Sequence, residues 1–379
     1  MLNFLPREFA GLFPKKQEIS SSLNQARVAL AAGNFNLAQS HAYFVLKSKR
    51  ASRNSRFTAE LVLIQVKARQ GSFLGLLDQL ERLFSKISKS NPELQARIGN
   101  EILRVCNRSG NFGFGALRGE ELLHNFSSHW PEAEKVELLC QLSSCHFHYG
   151  DAERADEVAT LALSLAENSK KAKALTQSYW QSSYLNINRG DLSLAYQQVM
   201  EAKYWAEVAG LRDILPILNN NAALIMLDLP NADLSQIHNL AESAYLDMAS
   251  QNNPGGSAYA CQILSEIALR QEDFEGALMY AERGLRDLPP EISGPKTALL
   301  VQVAKVRTRM RRLEEAMADL VAATEHMEHL NPSRELARQW GDIARVFVEA
   351  GLTDRGVYAY EKAIQMSGLL REEEDSKVI

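Results

Sequence analysis

His146 and His148, in Cys145-His-Phe-His-Tyr-Gly150, are the first residues in this 379-residue chain that invite a metal reading. Two residues apart on a helix they point to different sides, so they do not chelate one ion; near a helix end they suit the C-terminal dipole instead. Gly110, Gly113, Gly115 and Gly119 in Gly-Asn-Phe-Gly-Phe-Gly-Ala-Leu-Arg-Gly resemble a phosphate cradle. A cradle of that kind follows a strand and closes on Gly-Lys-Ser/Thr. Here the stretch follows a helical pattern and lacks that ending, so it is expected at a turn between helices. Cys106, Cys140, Cys145 and Cys261 form no C-x-x-C pair and read as small core residues of a reducing compartment. No G-x-S-x-G or H-E-x-x-H occurs. The carboxylates sit in solvated helix patterns such as Arg312-Leu-Glu-Glu. Neither catalysis nor a cofactor nor a metal is therefore expected. What remains is chemistry of another sort: amides, cations and aromatics strung along helices, able to hydrogen-bond and pack against another chain.

The elements that position them repeat. Gly33, Gly71, Gly110, Gly150 and Gly190 stand 38 to 40 residues apart, and the same step runs on to Pro230, Glu272, Arg311 and Gly351. Each anchor lies between two amphipathic helical patterns, with Gly supplying a left-handed turn and a following Asp or Asn capping the next helix. Asn91-Pro92, Trp130-Pro131, Asn253-Pro254, Pro289-Pro290 and Asn331-Pro332 punctuate the joins between units. No period-2 strand pattern of any length is present. The chain thus predicts about nine antiparallel helix pairs, each unable to bury its apolar face alone and stabilised by its neighbours. With 46% hydrophobic and 23% charged residues the composition is that of a globular protein. A net charge of −4 and a pI near 6.1 argue against direct nucleic-acid binding. Residues 1–17 read as a hydrophobic lead-in on the first pair, residues 18–368 as the repeat domain and 369–379 as an acidic flexible tail. The lead-in has no secretory layout and no segment reaches membrane-spanning length. The chain is expected in the cytoplasm, with any membrane contact confined to residues 1–17.

Trp340, Ile343, Ala344, Phe347, Gly351, Gly356, Tyr360 and Ala363 have the spacing of a tetratricopeptide repeat. The unit from Arg270 to Pro289 is similar, with Ala277 at the small position. Units of about 40 residues, longer than the standard, resemble the sensor regions of bacterial peptide-responsive regulators. The repeats begin near residue 18, where those regulators usually carry a helix-turn-helix, so direct DNA binding is not expected. The resemblance implies an all-α right-handed superhelix, a solenoid whose first helices line the inner face. Counting back from the turns puts Thr58, Gln65 and Arg69, then Asn100, Arg104, Asn107 and Arg108, on that face. Pair five adds Gln177, Trp180, Gln181, Tyr184 and Asn188; later pairs add Gln262, Glu266, Lys305 and Arg309. Asn and Gln amides offer a donor and an acceptor to a peptide unit of any sequence. Basic residues hold carboxylates, and Trp180 with Tyr184 supplies an apolar wall. The expected function is a non-enzymatic scaffold or adaptor that binds a protein or an extended peptide. The alternatives are a peptide-responsive sensor without a DNA-binding domain and, last, an enzyme with a groove-assembled site.

One stretch tests the register: Leu215-Pro-Ile-Leu-Asn-Asn-Asn-Ala-Ala-Leu-Ile-Met-Leu227. Three successive residues cannot share one helix face. Asn219 or Asn220 is expected to point inward beside Tyr184 and Asn188, and Asn221 to pack between helices.

Overall fold

In a computed structural model of the chain, residues 16–87, 91–289, 293–328 and 330–367 are described, the side chains of residues 16 and 293 excepted. Within them lie eighteen α-helices and no strand. In chain order the pairs are α1 Lys16–Ala31 with α2 Phe35–Lys47, α3 Arg53–Arg69 with α4 Leu76–Lys86, and α5 Pro92–Ser109 with α6 Phe112–Asn125. Next come α7 Glu132–Tyr149 with α8 Ala152–Ser169, α9 Ala172–Arg189 with α10 Leu192–Val208, and α11 Leu215–Leu227 with α12 Leu234–Ser250. The last are α13 Pro254–Arg270 with α14 Phe274–Arg286, α15 Ser293–Arg309 with α16 Leu313–Met327, and α17 Arg334–Glu349 with α18 Thr353–Met366. Among the described residues, no helix is long and apolar enough to cross a membrane. The tail 369–379 and all but the end of the segment 1–17 lie outside the described residues. The chain divides into two compact units, 1–105 and 106–379, the division falling within α5.

One turn joins the helices of most pairs. An amide just past the C-cap closes on the carbonyl five residues back: Asn34 on Ala29, Asp151 on His146, Asp191 on Asn186 and Asp273 on Ala268, at 2.8 to 3.0 Å. The same residue then caps the second helix through its side chain, as Asp151 does for Arg154 N. The turn requires a left-handed residue. Gly150 (φ 112°) and Gly190 (φ 80°) meet that demand without strain, whereas Glu272 (φ 61°) and Arg311 (φ 62°) meet it at a cost of about 1 kcal/mol each. The register of the turn therefore outlasts the loss of its glycine.

Within a pair, small residues set the helix spacing. Ala155, Ala195 and Ala277 are fully buried, and their carbonyls accept hydrogen bonds from Ser143, Ser183 and Ser265, each twelve residues earlier, at 2.7 to 2.8 Å. The glycine-rich stretch corrects its sequence reading. Only Gly110 stands at a turn; Gly113, Gly115 and Gly119 lie inside α6. A Cβ on Gly115 would come within 2.5 Å of Cys145 Sγ and 2.9 Å of Cys106 Cβ. These glycines let helices approach closely, which is why they tolerate the low helix propensity of the residue. All four cysteines are buried.

Candidate ligand cleft

The side chains expected on the inner face fall into two groups. In residues 1–105, Arg69 donates to Leu30 O at 2.9 Å, Gln65 to Glu101 Oε2 at 2.8 Å, and Arg104 is paired with Glu101. Asn100 is 1% exposed and Thr58 is buried, so both belong to the interior rather than to a groove surface. The reason is register: their positions on α5 and α3 face neighbouring helices. In residues 106–379, Asn107 Nδ2 reaches Gln141 O at 3.0 Å and Gln141 Oε1 at 2.9 Å. Gln181 donates to Ser143 Oγ at 3.1 Å, and Tyr184 O–H meets His148 Nε2 at 3.1 Å. Trp180 packs on the apolar cluster of Ala195, Val199 and Leu218. Asn188 is exposed and donates to Tyr184 O at 2.8 Å. These polar groups largely join one first helix to the next. Gln177 differs: its Oε1 is buried with no protein partner.

The three asparagines resolve with one correction. Asn220, not Asn221, is the buried member; Asn219 and Asn221 are half-buried. Gln181 follows Ser143 by 38 residues and Gln302 follows Ser265 by 37, and each donates to that serine. Asn220 follows Ser183 by the same step. It occupies the joining position with a side chain one methylene shorter, and its Oδ1 is left without a partner, as is that of Asn219. The offset arises because the turn after α11 is longer than most of its counterparts, so counting back from it misplaces the register.

A cleft of about 270 Å³ opens on the first helices of pairs six to nine. Gln262 and Glu266 of α13 and Lys305 of α15 form one wall; Arg338, Asp342 and Arg345 of α17 form the other. Glu266 takes hydrogen bonds from Lys305 Nζ (2.7 Å), Gln302 Nε2 (3.2 Å) and Arg270 Nε (3.1 Å). Burial pushes its pKa up, but these donors outweigh burial and hold it below the usual carboxylate range. Arg270 also reaches Asp228 Oδ1 at 2.7 Å. On α17, Arg338 binds Glu335 through two nitrogens and Asp342 Oδ2 at 3.2 Å, while Asp342 also pairs with Arg345. Glu335 is pushed up by burial, yet Arg338 outweighs this and leaves it below its ordinary value.

Beyond the cleft, α17 and the residues before it return to pairs three and four. Asn331 donates to Gly110 O at 3.3 Å and Arg334 to Gly150 O at 3.2 Å, with the Arg334 guanidinium 4.9 Å from the centroid of Phe147. There His148 stacks on Phe112 at 4.6 Å, and Tyr184 meets Phe147 edge-on at 5.7 Å. Desolvation lowers the His148 pKa to about 4, with Glu335 raising and Arg334 lowering it. It also drives up the phenols of Tyr184 and Tyr259, both of which feel Glu335 and Arg338. Tyr259 is nonetheless 36% exposed.

Gln262 and Lys305 were legible from the repeat, and they line the cleft. Arg338, Asp342 and Arg345 were not singled out, although their spacing of four and three places them on one face of α17. Among the described residues, no group of three metal-ligating side chains exists.

No protein-family model matches the sequence, and no curated protein matches it. Solved structures match its fold. A Rap protein complexed with competence and sporulation factor is 13% identical, covers 94% of this chain and 99% of its own, and superposes with a TM-score of 0.61. NprR in complex with its cognate peptide NprX is 9% identical over 96% and 99% of the two chains, with a TM-score of 0.53. A signal-transduction ATPase with numerous domains from Pyrococcus horikoshii, bearing a tetratricopeptide-repeat sensor, is 14% identical over 98% of this chain and 56% of its own, with a TM-score of 0.53. The fold is that of a tetratricopeptide-like helical-repeat protein.

Proposed function

We propose that this chain is a non-enzymatic, peptide-binding helical-repeat protein, and that the cleft of pairs six to nine is where the peptide docks. The observation that carries the reading is the cleft itself: four first helices supply one concavity, and its charged walls are held by Glu266 and Asp342 in defined positions. Preorganised walls lower the ordering cost of binding. The fold likeness to complexes of a Rap protein and of NprR supports the same choice.

Within this reading a sensor is favoured over a passive adaptor by one feature. Arg334 and Asn331 lie just before the cleft wall on α17 and bind carbonyls 184 and 221 residues earlier. A ligand that moves α17 also loads that contact. The test is direct: the full chain is titrated with short peptides by calorimetry, beside pull-downs of large partners. Binding of short peptides with a rise in melting temperature supports the sensor. Capture of a folded partner with no response to any short peptide sinks it in favour of the adaptor.

A further inference from the structure

We propose that the cleft reads a carboxylate on its peptide ligand, and that Arg345, braced through Asp342 by Arg338, is the specificity-determining residue that receives it. The inference rests on the peptide-binding reading above.

Its basis is which charges face the open space. The cations and carboxylates lining the cleft are matched in number, Arg270, Lys305, Arg338 and Arg345 against Asp228, Glu266, Asp342 and Glu349. They are not matched in access. On α17 the side chain of Arg345 is 65% exposed and that of Asp342 26%; Arg338 is 49% exposed and Glu335 33%. Across the cleft Lys305 is 30% exposed and Glu266 18%. At these pairs the carboxylate stands behind its cation. Asp228 and Glu349 are more open, but Asp228 is tied to Arg270 and Glu349 faces Arg309 at 3.8 Å.

The carboxylates behind are also saturated. Glu266 takes three donors and Glu335 takes two nitrogens of Arg338. Arg345 is different. It presents five N–H donors, and its bond to Asp342 uses one nitrogen, Nη2. Its Nε and Nη1 have no protein partner, so one of the two edges they form with Nη2, which carries a second N–H, stays open. Asp342, held by Arg338 Nη1, anchors the guanidinium while leaving that edge to the cleft. A planar guanidinium fixed by one carboxylate is built to take a second in the bidentate geometry, which a lysine cannot reproduce. A polyanion is disfavoured by the balanced lining and by the net charge of −4. A single carboxylate is the fitting group, supplied either by a peptide C-terminus or by an Asp or Glu side chain.

The experiment uses the full chain and two randomised tetrapeptide libraries, one with free and one with amidated C-termini. Enriched peptides are read by mass spectrometry, remade singly, and titrated as free, amidated and Asp/Glu-to-Asn/Gln forms. One neutralisation is expected to weaken binding at least ~10-fold, the scale of a charged hydrogen-bonded pair. Loss on amidation identifies the C-terminus; loss on side-chain neutralisation identifies an acidic residue. Arg345→Ala should bind the original peptide as weakly as wild type binds the neutralised one, with no further loss on the neutralised form. Arg345→Lys should recover only part. Arg345 is exposed, so its variants should melt with wild type. If peptides bind and tolerate both neutralisations within 2-fold, or Arg345→Ala binds them unchanged, the carboxylate inference falls while peptide binding stands. If neither library yields a binder, peptide binding itself falls and the inference with it.

Discussion

Pairs five and nine carry similar polar side chains on their first helices and use them in opposite directions. On α9 the bonds run sideways: Gln181 to Ser143 and Tyr184 to His148, each 36 to 38 residues back on the preceding first helix. Among the charged side chains of α17 that line the cleft they run lengthwise: Arg338 to Glu335 and Asp342, and Arg345 to Asp342, all within one helix. Sideways bonds join repeats and leave little for a ligand. Lengthwise bonds orient charges and leave an edge free. The difference follows from what lies within reach. A glutamine opposite a buried serine hydroxyl finds a neutral partner that needs one, whereas an arginine among carboxylates of its own helix is satisfied without crossing to a neighbour.

The contrast can be broken most easily where a sideways network is densest. Glu266→Ala removes the acceptor shared by Lys305, Gln302 and Arg270, and should cost about 3 kcal/mol of stability, because three charge-assisted hydrogen bonds of a half-buried network are lost together. Asp342→Ala, on the lengthwise side, should cost under about 1 kcal/mol, as expected of accessible pairs. Urea denaturation of both variants decides; similar losses would remove the distinction.

Acid is the next largest lever, and it acts on pair four. His148 has its pKa lowered from 6.5 to about 4 in the folded chain. The unfolded state therefore binds the proton more readily between those values. Stability from this group is complete above pH 6.5 and is lost as pH falls toward 4, up to about 3 kcal/mol. Melting temperature followed from pH 7 to 4 should fall in wild type and fall less in His148→Phe. Parallel curves would show that His148 is not the sensitive group.

Ser143→Ala has a smaller expected effect. It removes the donor to Ala155 O and the acceptor for Gln181, at about 1 to 2 kcal/mol. Gln181→Ala in that background should add less than it costs alone, since the two share a bond; full additivity would argue against the sideways join. The smallest effect is expected at Asn220→Gln. The extra methylene should let the amide reach Ser183, as Gln181 and Gln302 reach theirs, and raise stability by about 1 kcal/mol or less. A lower melting temperature would mean that the site has no room, and that Asn220 is not a shortened joining residue.

Much of the architecture was legible without coordinates. The 38-to-40-residue step, the left-handed turn and the capping Asp or Asn are local, so each unit reports its own boundaries. The turns at Glu272 and Arg311 were found by spacing although their glycine is gone. Where the signal was composition alone the reading slipped. Gly113, Gly115 and Gly119 read as a turn but sit in α6, because helix-packing glycines and turn glycines are the same residue. Counting back from the irregular turn after α11 points to Asn221, whereas Asn220 is the buried residue.

By itself, then, the sequence determined that the chain is a row of antiparallel helix pairs, where each begins and turns, and which residues stand on the first helices. These follow from periodicity and backbone preference over a few residues. Only the tertiary structure decided which of those residues are joined to a neighbour and which line a cleft. Gln181 and Arg345 are both polar side chains on first helices; what separates them is a serine 38 residues away in one case and an aspartate one turn away in the other. The contact from Asn331 to Gly110, 221 residues apart, has no local trace at all. Partners at such distances are set by how successive pairs stack, a sum of small packing angles that no single unit encodes.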